Sequence, residues 1–190
     1  DLGCGIGYGA RILADAGHRV FAIDTDVETI AHALSHICRF TGHTKAFYSV
    51  AEHSVRTMWH VGPGFELEAL LHDATEAYLG DVSSPLKHML PTYKAIEMTL
   101  AHHIRVRFGL PLKESPQVKA ADLAMLAMER TALMPHHHEE WDLIKGVQPA
   151  PAVLVPMAPH VAYSVFLEAF VRLTGRETYQ RLSQPDEGQA

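Results

Sequence analysis

Residues 70–81 read LLHDATEAYLGD, and the way this stretch packs decides the fold class. Leu70, Leu71 and Ala74 are spaced to bury one side of a helix, whereas a half-buried strand would alternate apolar and polar residues. His72, Asp73 and Glu76 bring an imidazole and two carboxylates to the same neighbourhood, with Glu76 four residues after His72 and so one helical turn along. The pattern predicts a helix over 65–78. Outward from it the same periodicity predicts helices over 27–37, 49–60, 91–108, 115–133 and 159–174. Within 115–133, Val118, Ala121, Leu123, Met125, Leu126 and Met128 trace helical faces, and Pro116 occupies a first-turn position that tolerates proline. Gly62, Pro63 and Gly64 break the second helix from the third, and Pro149, Pro151, Pro156 and Pro159 punctuate the loop before the last. The expected fold over 27–175 is an all-α bundle, followed by a tail over 176–190.

A chain of 190 residues supports one well-packed domain. Its 47% hydrophobic and 20% charged residues are those of a globular protein, without the polar bias that keeps chains disordered. A formal net charge of −6 argues against an extended footprint on a nucleic-acid polymer, which needs clustered Lys and Arg, but leaves room for a small anion in a local basic pocket. Cys4 and Cys38 form no paired spacing, so neither a disulfide framework nor a zinc ribbon is indicated and a reducing, cytoplasmic setting fits. No apolar run approaches the roughly 18–20 residues of a membrane span, and no signal peptide opens the chain. Fourteen histidines raise a metal hypothesis, although His136, His137 and His138, between Pro135 and Glu139, read as a solvated loop. His36, His43, His60, His88, His102 and His103 read as surface or interface residues, and Trp59 and Trp141 as packing residues.

Residues 1–26, DLGCGIGYGARILADAGHRVFAIDTD, have a different character. Gly3, Gly5, Gly7 and Gly9 allow a tight turn beside a ligand, Ala10 to Ala16 is expected to be helical, and Val20 to Ile23 alternate into a strand ending at Asp24. This short, partial βαβ-like piece resembles the first motif and the acidic second-strand end of class I S-adenosylmethionine-dependent methyltransferases. No later strand–helix–strand units supply the rest of such a sheet, so methyl transfer is not expected and the piece reads as a truncated or fused fragment.

The chemistry lies elsewhere. Glu52-His53, His72-Asp73 and Asp122 fall on three different predicted helices, and imidazole and carboxylate groups from facing helices can enclose one divalent ion while leaving positions open for water. A bound divalent ion can supply hydrolysis at phosphorus with a nucleophile by acidifying water, and groups that handle protons complete such a site, a task suited to Glu76 and Asp81. Cations must meet the developing negative charge: Arg39 can do so bidentately, and Lys87 as a point charge. The metal's identity stays open among manganese, cobalt, zinc and iron.

The order H, HD, D resembles that of the HD phosphohydrolase superfamily, in particular its 5'-deoxynucleotidase branch and related phage proteins, over about residues 28–175. The segment ICRFTGHTKAFYSVAEHSV carries the matching Arg-aromatic pair and first histidine, ALLHDATEAYLGDVSSPLK the HD pair, Glu, second Asp and Lys, and VKAADLAML the last Asp. The resemblance implies an HD-domain helical bundle, metal roles for His53, His72, Asp73 and Asp122, catalytic roles for Glu76 and Asp81, and nucleotide contact by Arg39. Phe40 stands where the bacterial deoxynucleotidases have Trp, which leaves base and sugar preference open. The implied activity is removal of the 5'-phosphate of a deoxyribonucleoside monophosphate by a homo-oligomer. A phage-type triphosphohydrolase and a nucleotide-binding domain without activity are the alternatives.

Overall fold

The computed structural model describes residues 26–135 and 141–176, together with the backbone of 11–15 and 18–22. Gly3, Gly5, Gly7, Gly9, Asp24, His136–His138 and the tail beyond Arg176 lie outside the described residues. Arg11–Asp15 (β1) and His18–Ala22 (β2) pair antiparallel, from Arg11 opposite Ala22 to Asp15 opposite His18. The helix expected over 10–16 is therefore corrected to a strand. Ile12 and Leu13 suit a strand as well as Val20 and Phe21 do, and the pairing with β2 decides for the strand.

Beyond these strands the regular elements of the described residues are helical, as expected. Helix α1, Val27–His36, starts at Asp26, whose carboxylate accepts the Thr29 N–H at 3.4 Å. Helix α2, Val50–His60, starts at Ser49, whose Oγ accepts the Glu52 N–H at 3.1 Å. Ser49 and Glu52 have capping-box spacing, yet the Glu52 carboxylate turns away from the helix start. It accepts from Arg56 Nε at 2.8 Å and from Met157 N at 2.7 Å, fastening the loop before the last helix to α2.

The single helix expected over 65–78 is divided. Helix α3 spans Glu66–Leu70 and α4 spans Glu76–Leu79, with a turn over 71–75 between them. His72 and Asp73 thus stand on a junction and not on a helix. The cause is local: His72 Nδ1 donates to the Ala69 carbonyl at 2.7 Å, taking the acceptor that a continuing helix would offer to the Asp73 N–H. Leu71 and Ala74 keep the apolar spacing across the break and are buried, so periodicity alone does not register it.

Helix α5, Ser84–Met89, is short, buries none of its residues and was not expected from the pattern. Helices α6 (Pro91–Phe108), α7 (Pro116–Leu133) and α8 (Pro159–Thr174) fall within a residue of the predicted limits, each with proline in its first turn. Gly109 and Gly175 end α6 and α8 in the left-handed conformation that favours glycine.

Helix α2 is central and packs against α1, α3, α7 and α8. Ile30, Leu34, Val55, Met58, Leu70, Ile104, Phe166 and Phe170 belong to one buried core, each contributing roughly 1.5–3 kcal/mol by burial. A satellite cluster of Ala124, Met125, Met128 and Ala150 lies beneath the loop before α8, held by the Ala150 N–H bond to the Ala124 carbonyl at 2.9 Å. Trp59 corrects an expectation: with Met58 turned inward, the next residue faces out and is 53% exposed. Trp141 is half-buried, its ring 5.9 Å from that of Phe40. Among the described residues no helix is long and apolar enough to cross a membrane.

Candidate metal centre

A short antiparallel bridge between Cys38 and Ser49 brings two segments beside the start of α2. Arg39 N donates to the Tyr48 carbonyl at 2.9 Å and Val50 N to that of Ile37 at 3.0 Å. These bonds place Arg39, Tyr48 and, one turn into α2, His53 around one interior region. The α3–α4 junction supplies His72 and Asp73, and α7 supplies Asp122 from its second turn. Helix α7 is anchored to α3 at its start, where the Ser115 amide donates to Glu68 Oε1 at 2.8 Å.

The donor atoms converge. His53 Nε2 lies 3.3 Å from His72 Nε2, 3.3 Å from Asp122 Oδ1 and 3.6 Å from Asp73 Oδ2. His72 Nε2 lies 3.2 Å from Asp73 Oδ2 and 4.0 Å from Asp122 Oδ1. Donors about 2.0–2.1 Å from a common ion stand roughly 2.8–3.4 Å apart at adjacent octahedral or tetrahedral positions, so the separations of 3.2 and 3.3 Å suit a shared cation. The proton inventory agrees. His53 Nδ1 is engaged by Glu129 Oε1 at 2.6 Å and His72 Nδ1 by the Ala69 carbonyl at 2.7 Å. In the neutral tautomers these bonds select, both Nε2 atoms carry lone pairs and face each other and two carboxylates, an arrangement a cation relieves. His53, His72 and Asp122 thus form a cluster that can hold a metal ion.

Electrostatics show the same demand for positive charge. Burial works against protonation of His72, but Asp73, and then Asp122, raise it to about 9. Burial and Arg39 oppose a proton on His53, yet Glu129 and Asp122 hold it above its ordinary value. Burial pushes Asp73 and Asp122 up, and the neighbouring histidines more than reverse it, leaving both well below the usual carboxylate range.

The other predicted residues surround the donors without all pointing at them. Arg39 is buried, with NH1 3.4 Å from Asp73 Oδ2 and Nε 3.3 Å from Glu129 Oε2, so it is ion-paired inside the site. Phe40 and Thr41 have positive φ, 56° and 54°, and Gly42 follows at 79°. A non-glycine residue in this region costs about 1–2 kcal/mol. Asp81 Oδ2 offsets part of that by accepting the Phe40 N–H at 3.1 Å, which makes it the brace of this turn. Glu76 is buried and its Oε2 has no hydrogen-bond partner. Burial, then the charges of Asp73 and Asp81, push its carboxyl well above the ordinary value against the pull of Arg39 and Lys87. Lys87 Nζ donates to Glu97 at 2.8 Å and stands 3.6 Å from Glu76 Oε1.

No protein-family profile matches the chain. It is 46% identical over 149 residues to the uncharacterized protein YfdR of Escherichia coli (strain K12), covering 77% of this chain and 83% of that protein. The chain belongs to the YfdR family. A second member, the uncharacterized protein RCAP_rcc00048 of Rhodobacter capsulatus, is 34% identical over 150 residues, covering 72% of this chain and 76% of that protein.

In this member of the YfdR family the sequence reading missed Glu129, a fully buried carboxylate at the middle of the site. A signal was present: Glu129 follows Asp122 by seven residues, two turns along the same face, in a stretch otherwise apolar on that side. Glu52, singled out with His53, belongs instead to the Arg56 and Met157 contacts.

Proposed function

We propose that this YfdR-family chain is a metal-dependent phosphohydrolase of the HD type that removes the 5'-phosphate of a deoxyribonucleoside monophosphate. In this reading His53, His72, Asp73 and Asp122 hold one divalent ion of manganese, cobalt, zinc or iron. The observation that carries it is the convergence of two imidazole Nε2 atoms and two carboxylates beside Glu76, a buried acid with an unpartnered oxygen. The ion, when bound, supplies Lewis acidity and a water acidified toward neutral pH.

The chain's own groups perform the remaining tasks. Burial and the neighbouring charges of Asp73 and Asp81 raise the Glu76 carboxyl above its ordinary value, which suits donation of a proton to the leaving oxygen. Arg39 keeps donors beyond those turned to Asp73 and Glu129, and these meet phosphoryl oxygens as negative charge develops. Lys87, tied to Glu97 and next to Glu76, adds a point charge. Asp81 braces the Phe40 turn, so its share in the reaction is positioning as much as proton transfer. Phe40, facing Trp141, offers an aromatic surface to a base.

The test is release of phosphate or tripolyphosphate by metal-reconstituted protein from deoxynucleoside mono- and triphosphates, with Asp73→Ala and Glu76→Ala as controls. Phosphate from monophosphates, lost in both variants, is the expected result. Tripolyphosphate replaces the reading with a triphosphohydrolase, and absence of turnover with every metal replaces it with a binding domain.

A further inference from the structure

We propose that Glu129 is a positioning residue of the metal centre, which fixes His53 as a ligand through its Nδ1–H; the proposal rests on the metal reading above. Glu129 is fully buried on α7, two turns beyond Asp122, so a single helix carries one ligand and the group that orients another. Its Oε1 receives both His53 Nδ1, at 2.6 Å, and the Tyr48 hydroxyl, at 2.7 Å. Its Oε2 stands 3.3 Å from Arg39 Nε.

Three features separate this from ordinary packing. A buried carboxylate is costly unless its partners compensate, and an apolar residue would fill the same helix face more cheaply. The Tyr48 hydroxyl is itself fully buried and donates only to Glu129, so it serves to fix the carboxylate's rotamer. The two histidines also differ in what stands behind them. His72 is backed by the neutral Ala69 carbonyl and His53 by a charge. A carboxylate behind Nδ1 keeps the proton there, leaves the Nε2 lone pair aimed at the donor cluster, and makes His53 the more basic of the two ligands.

The experiment uses the full chain stripped with chelator and titrated with Co(II) against a chromophoric competitor, with the Co(II) absorption spectrum recorded at saturation. Glu129→Gln, which keeps the shape and an acceptor but loses the charge, is expected to bind Co(II) about 10–100-fold more weakly. Its Co(II) bands are expected to shift, while the metal-free variant melts near the wild type. Tyr48→Phe is expected to weaken binding several-fold in the same direction. A folded Glu129→Gln with wild-type affinity and spectrum overturns the proposal alone, whereas a wild type that takes up no Co(II) overturns the metal reading with it. Should Glu129→Gln fail to fold, the ring-nitrogen NMR signals of His53 in the zinc-loaded wild type decide: a protonated Nδ1 is expected, and a bare Nδ1 overturns the proposal.

Discussion

Glu52 and His53 are consecutive residues of α2, both fully buried, and they serve polar clusters of opposite kind. The Glu52 cluster is closed: the carboxylate is met by Arg56 at 2.8 Å and by the Met157 amide at 2.7 Å, so charge and lone pairs are satisfied within the protein. The cluster around Glu68 is of the same type, with Arg105 at 3.1 Å and the Ser115 amide at 2.8 Å. The His53 cluster is open. Asp73, Asp122 and Glu129 surround two histidines whose Nε2 atoms face each other at 3.3 Å, and the charges of Asp73 and Asp122 raise His72 to about 9 against burial. Closed buried clusters specify how segments meet, whereas an open one keeps donor atoms that can hold a metal ion.

Substitutions on the two sides should therefore fail in different assays. The largest effect is expected from His72→Ala, which should abolish phosphate release and weaken metal binding by more than the roughly 10–100-fold typical of outer-sphere partners. Its metal-free melting temperature should stay within a few degrees of the wild type, and a collapse of the fold would make the open cluster structural. Glu76→Gln should lower kcat about 100–10,000-fold with metal content unchanged, measured on the same metal-loaded preparations. Parallel loss of the metal would recast Glu76 as a ligand.

On the closed side, Glu68→Ala removes the acceptor at the start of α7 and the carboxylate partner of Arg105, which keeps the Pro111 carbonyl at 2.7 Å, and should cost about 1–3 kcal/mol in denaturant unfolding, while leaving metal affinity within a few-fold. The smallest effect concerns acid. Burial pushes Glu68 up, but Ser115 and Arg105 outweigh it and hold the carboxyl below its ordinary 4.5. Stability from this group is thus present above that value and is lost as pH falls through the lower, folded one. Glu68→Gln should flatten the acid limb of stability below about pH 4.5, and an unchanged limb would show that Glu68 contributes nothing there.

How much of this was legible in the sequence follows from what each signal responds to. Helices α6, α7 and α8 are bounded by proline in the first turn and, for α6 and α8, by glycine at the end, local features that need no tertiary context. The break over 71–75 was hidden because its cause is a side chain, His72, competing for the Ala69 carbonyl while the apolar spacing runs on. Strand β1 was hidden because Ile12, Leu13 and Ala14 fit a helix or a strand, and pairing with β2 decides between them. His53, His72, Asp73 and Asp122 are singled out by their spacing over three predicted helices and by the resemblance of their order to the HD superfamily, and the structure brings them together. Glu129 did not, because one carboxylate in a run of alanines and methionines reads as a solvated residue until Tyr48 and His53 are seen against it. Arg39 is expected from the sequence to meet a phosphate; its pairing with Asp73 and Glu129 depends on the bridge between Cys38 and Ser49, which no local pattern announces.

The most direct test of the central claim is the metal stoichiometry of the chelator-stripped chain, titrated with zinc or cobalt and compared with Asp122→Ala. One equivalent of tightly bound divalent ion per chain, absent from the variant, is the predicted result. No binding, or equal binding by both proteins, would contradict the assignment of His53, His72, Asp73 and Asp122 as its ligands.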